Sequence, residues 1–183
     1  MGSDRLAFAH CLVALLLLSS IAHGQQTPAE IRDSVHRKHP GDPVAGSQAA
    51  NAALEDRALS EQVNPRQRAA SVFLGYYAKN TLSIPRVCSA AGINIESYAD
   101  QFEREHRSLL AVSSKYVNAQ AAIDRVNRGS LADATTELNR LANSMNTDIK
   151  GACSFIQQNG KQLATGAHFS KIVPRVHAQL VAE

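Results

Sequence analysis

The stretch IESYADQFEREHRSLLAVSSKYVNAQAAIDRVN, residues 95–127, decides the fold class. Ile95, Ala99, Phe102, His106, Leu109, Ser113, Tyr116, Gln120, Ile123 and Asn127 recur in steps of four and three. Steps of that kind bring side chains onto one face of an α-helix. Asn94 stands before the run as a cap, and Gly129 follows it as a stop. The spacing predicts a single helix, roughly 50 Å long at the usual helical rise.

Moving outward, a second stripe follows at once. Ser130 and Asp133 resemble a capping box with a shorter acid. Leu131, Ala134, Leu138, Leu141, Met145, Ile149, Ala152 and Phe155 or Ile156 then predict a helix over about 131–158, ended by Gly160. A connection of a few residues predicts that the two helices pack as an antiparallel hairpin. Leu109, Tyr116, Leu138 and Met145 are expected in its seam or against neighbouring helices, and Arg140 on the outward face. Beyond it, SKIVPRVHAQLVA predicts a final helix through Val173, Val176 and Leu180.

On the other side, Asn64-Pro65 reads as a helix start, since proline at the first position gives up an N–H that has no partner there anyway. Ala69, Val72, Phe73, Tyr76 and Asn80 follow at helical spacing until Pro85, which predicts a helix over about 65–82 closing the open side of the hairpin. IPRVCSAAG, residues 84–92, is a connector with one turn of helix closed by Gly92. An alanine-rich piece, QAANAALEDRALSEQV, predicts a short helix, with Ala50, Ala53, Leu54 and Ala58 on its apolar face. No alternating strand pattern competes. The expected fold is all-α, an antiparallel bundle forming a single helical domain over residues 48–183. Residues 25–47, punctuated by Pro28, Pro40, Gly41, Pro43 and Gly46, are expected as a flexible leader.

Residues 1–24 carry the plan of a secretory signal peptide: a short start with Arg5, the apolar run AFAHCLVALLLLSSIA, and small residues Ala22 and Gly24 at its end. The run is shorter than a bilayer span needs, and no second stretch is apolar enough to cross one. The expected location is the periplasm, reached across an inner membrane. Processing after Gly24 removes Cys11 and leaves Cys88 and Cys153 in an oxidising compartment, where an even pair forms a disulfide.

Chemistry is sparse. The formal charge of +3 comes without a Lys/Arg run interleaved with aromatics, so nucleic acid is not an expected partner. Glu103 and His106 have the Glu-x-x-His spacing of di-iron bundles, but those need a second such motif and further acids, and this chain has one. His106 falls in the apolar stripe, and reads as a packed histidine. His36 and His39, with Arg37 and Lys38 between them, read as a solvated basic patch. No nucleophile elbow, P-loop or dinucleotide fingerprint is present. Neither a metal nor a cofactor is expected. Glu96, Asp100, Glu103 and Glu105 mix with Arg104 and Arg107 as a solvated face does.

Six residues stand out as one wall of an interhelical apolar pocket: Phe73, Tyr76, Tyr77, Phe102, His106 and Tyr116, with Tyr77, off the stripe, the most exposed. The first functional expectation is an exported, non-enzymatic helical protein acting on an unknown protein or envelope partner. The second is a small-ligand binder using that pocket. The third is a metal-dependent enzyme using Glu103 and His106.

Overall fold

Proline opens four of the helices, at positions 28, 43, 65 and 174, because the first turn needs no donor from it and its fixed φ already suits a helix. A computed structural model describes residues 28–39, 42–60, 64–129 and 131–182. In chain order the elements are α1 (Pro28–Lys38), α2 (Pro43–Ser60), α3 (Pro65–Ala78), a π-helical turn (Lys79–Ser83), α4 (Ile84–Ala90), α5 (Glu96–Ser113), α6 (Ala119–Gly129), α7 (Leu131–Ser144), α8 (Ile149–Gly166), α9 (Phe169–Ile172) and α10 (Pro174–Val181). No strand occurs among the described residues. The all-α expectation holds. The stretch expected as a signal peptide, residues 1–24, lies outside the described residues, and no described helix is long and apolar enough to cross a membrane.

Several expected boundaries are corrected. The helix foreseen over 95–127 is two helices. It breaks after Ser113, and Asn118 restarts it by accepting the N–H of Ala121 at 3.0 Å. The helix foreseen over 131–158 also breaks. Asn146 takes the left-handed conformation at φ 58°, and Asp148 caps α8 by accepting the Gly151 N–H at 2.8 Å. Met145 sits in that turn and is 36% exposed, not buried, whereas Leu109 and Leu138 are buried as expected. Most of what is described of the leader expected over 25–47 is helical, as α1 and the start of α2, with His39 and Asp42 between them outside any helix.

Packing also departs from a simple hairpin. α5 meets α8 more extensively than any other partner. Gln157 donates to the Asn94 carbonyl, Gly160 lies on Tyr98, and Thr165 donates to Glu105. These positions rise together along both helices, so α5 and α8 run parallel. α3 runs antiparallel to α5: Asn80 meets Tyr98, Tyr76 meets Phe102, and Phe73 meets His106. Gly160 therefore does not stop a helix. A Cβ there would come within 3.1 Å of the Tyr98 backbone nitrogen, so the residue exists to let two backbones approach.

Pro85 does not end the helix either. The chain widens into the π turn, in which the Ile84 N–H reaches back to the Lys79 carbonyl. α4 then restarts with Pro85 in its first turn, where a missing N–H costs nothing. α4 ends at Gly92, whose φ of +78° suits glycine alone. It carries Cys88 to Cys153 on α8, and the two form a disulfide with Cα atoms 5.4 Å apart.

Candidate functional site

α3 and α5 assemble most of the aromatic wall that the stripes predicted. Tyr76 lies 5.4 Å from Phe102 between ring centroids, Phe73 5.9 Å from Tyr77, and Phe102 stacks on His106 at 4.0 Å. Tyr116 is not part of it. It follows the break after α5, half-buried, with the Arg66 guanidinium 6.0 Å from its ring centre. Tyr77, expected to be the most exposed, is 9% exposed and buried. It was placed off the stripe, but α5 covers that side of α3 as well.

The wall does not face a ligand-sized space. Phe169, from α9, fills it, 5.2 Å from Phe73 and 5.5 Å from Tyr76. Tyr98 closes the other end against Phe102 at 6.0 Å. Phe73, Tyr76, Tyr98, Phe102 and Phe169 are all fully buried. Polar ends inside are met internally: the Tyr98 hydroxyl donates to Asn80 at 2.6 Å, and the Tyr76 hydroxyl donates to the Ala167 carbonyl. Burial raises the pKa of both phenols, so neither supplies a phenolate near neutral pH.

His106 has both ring nitrogens committed. Nε2 accepts the backbone N–H of Phe169 at 2.9 Å, so Nδ1 carries the proton and donates it to the Phe102 carbonyl at 2.8 Å. Neither lone pair is free for a metal. Burial lowers its pKa to about 4, against a smaller upward pull from the Phe102 carbonyl. Glu103 is exposed while His106 is buried, and no bond joins them, so the Glu-x-x-His spacing makes no ligand pair. Among the described residues no three His, Cys, Asp or Glu side chains converge as metal ligands do. The His36 side chain, and with it the His36/His39 pair, lies outside the described residues.

A cluster of buried charge was not foreseen. Glu137 on α7 receives Arg32 from α1, and has Lys79 of the π turn at 3.8 Å and Arg140 at 3.9 Å. Arg140, expected to face outward, also grips Asp33 of α1 at 2.6 Å. Burial pulls the Lys79 pKa down to about 8, with Glu137 pulling the other way. Sequence spacing does carry one hint. Lys79 stands three residues after Tyr76 on the buried side of α3, a place where a lysine needs a partner.

A concave surface lies elsewhere, between the π turn and the start of α5. A groove of about 550 Å³ is lined by Thr81, Pro85, Ile93, Glu96, Asp100 and Glu103, among others. Three carboxylates thus face a space of the size small ligands occupy. Comparison with known proteins gives no matching family, no matching characterised protein and no matching solved structure.

Proposed function

We propose that this is an exported, non-enzymatic helical protein of the periplasm that acts through its surface on a protein or envelope partner. The observation that carries the reading is the commitment of the interior. His106 is bonded at both nitrogens, Lys79 and Arg140 face Glu137, and the aromatic wall is filled by Phe169. Groups that would do chemistry are spent on holding the fold. The Cys88–Cys153 disulfide suits an oxidising compartment. A small-ligand binder remains the second reading, and its site moves from the aromatic wall to the carboxylate-lined groove, which has the volume for it.

A photo-crosslinking residue placed at Asp100 or Glu103, on the groove rim, tests both readings in cells. One discrete protein adduct supports the first. A small molecule that co-purifies one to one and is lost in Asp100→Asn supports the second. Stoichiometric metal in the purified protein, lost in His106→Gln, overturns both.

A further inference from the structure

Two histidines hold the start of the C-terminal segment, and both do so as neutral acceptors. His106 Nε2 accepts the N–H of Phe169. His168 Nδ1 accepts the N–H of the next residue, Ser170, at 3.3 Å, and the Ser170 hydroxyl at 2.8 Å. The two rings stack 4.8 Å apart and nearly parallel. His177, on α10, stands 6.5 Å from His168. An imidazole that gains a proton turns its acceptor nitrogen into a donor. At His106 that new donor would point at a backbone N–H with no room to turn, because its other nitrogen is fixed on the Phe102 carbonyl. A charge on any one of the three rings also repels a charge on its neighbours.

We infer that residues 167–182 form an acid-released flap, held closed at neutral pH by the acceptor nitrogens of His106 and His168 and freed when the buried His106 ring takes up a proton. The rest of the surroundings offers little compensation. α3 contributes only phenol and apolar rings, with Tyr76 at 6.0 Å from His106. Glu105, the nearby acid, is already engaged by Gln101 and Thr165. α10 adds His177, whose pKa is lowered by burial. The flap has other ties as well: Tyr76 bonds the Ala167 carbonyl, and Lys171 bonds the Thr165 carbonyl. Glu55 accepts the N–H groups of Arg175 and Val176 at the start of α10, and Asp56 pairs with Arg175. Release would bare Phe73, Tyr76 and Phe102 on the wall side and Phe169, Val173 and Val176 on the flap side, two apolar faces that neutral protein keeps covered.

The sign follows from linkage. His106 holds its proton more weakly when latched, with a pKa of about 4 against an ordinary value near 6.5. Latch stability is complete above the ordinary value and declines as pH falls toward about 4. Between pH 7.5 and 4.5 this one ring shifts the open-to-closed ratio roughly 70-fold.

Hydrogen exchange on the intact, disulfide-bonded protein at pH 7.5 and 4.5, corrected for intrinsic rates, tests the flap. Peptides from 167–182 should lose protection by a factor of that order, while α5 and α8 around Cys153 keep theirs. The double variant His106→Gln, His168→Asn keeps an acceptor at each place but cannot titrate, and should stay closed at pH 4.5. Unchanged protection in the parent, uniform opening of the whole chain, or a double variant that opens along the parent's curve would each overturn the inference. Should the double variant not fold, ring titration of the parent by NMR decides. His106 must gain its proton together with the change at the Phe169 amide, and a proton gained with that amide unmoved refutes the flap.

Discussion

Around His106 the buried polar groups are neutral, and around Glu137 they are charged. The first set answers mostly to backbone: Phe102, Ala167, Phe169 and Tyr76 supply carbonyls or N–H groups to His106, Tyr76 and Asn80. Such bonds fix the path of the chain and cost little to bury. The second set answers to other side chains, from α1, the π turn and α7. Its members were stripped of water to meet, and each depends on the others remaining. Neutral contacts therefore read as specification of the fold. The charged contacts read as a fastening of α1, which among the described residues packs extensively on α2.

The contrast can be broken most forcefully at Glu137. Glu137→Ala removes the carboxylate that Arg32 and Lys79 share in the interior, and should cost up to about 5 kcal/mol in a denaturant melt. A loss below about 1 kcal/mol would mean that water reaches these cations once the acid is gone. Replacing Arg32, Lys79 and Glu137 together by apolar residues of similar volume should restore most of the loss.

The disulfide ties the two regions, since α4 continues the turn that bears Lys79 and α8 leads into His168. With a sequence separation of 65, Cys153→Ser should lower stability by about 4 kcal/mol. Unlinked thiols in peptides of the purified, non-reduced protein would remove the basis of that figure.

Acid and base then separate the regions. Lys79 holds its proton less tightly when folded, about 8 against 10.5, so stability should rise as pH climbs from 8 toward 10 and fall on the way back. The change is on the order of 2 kcal/mol, and Lys79→Met should lack it. Melts of parent and variant at pH 8 and 10 check this, and parallel lines would place the titrating group elsewhere. The His106 region loses stability in a different window, below pH 6.5. The smallest effect is expected outside both regions: Met145→Ala, in the exposed turn, should change stability by no more than about 0.5 kcal/mol.

Much of this was legible in the residues. Asn64 caps α3 through Arg66 and Gln67, Asn94 accepts the Glu96 N–H at 2.8 Å, and Gly92 closes α4, all as their chemistry dictates. The breaks at 114–118 and 145–148 were missed because an apolar stripe says which side is buried, not whether the helix is continuous. Leu141, Met145 and Ile149 keep helical spacing across a turn that Asn146 and Asp148 were already marking. Five of the six aromatic and histidine candidates met as expected. What filled the space beside them, Phe169, comes from far along the chain, and no periodicity reports such a meeting. The ion pair of Arg32 and Glu137, 105 positions apart, is invisible for the same reason.

Cys88 and Cys153 also close a covalent ring, and the exposed turn at 143–148 lies inside it. A protease that cuts there opens the ring without releasing a fragment. The nicked protein would run at full size until a reductant is added, then fall into two pieces. Damage at this exposed turn is thus held together by the disulfide, and a clipped molecule keeps α4 fastened to α8 for as long as its surroundings stay oxidising.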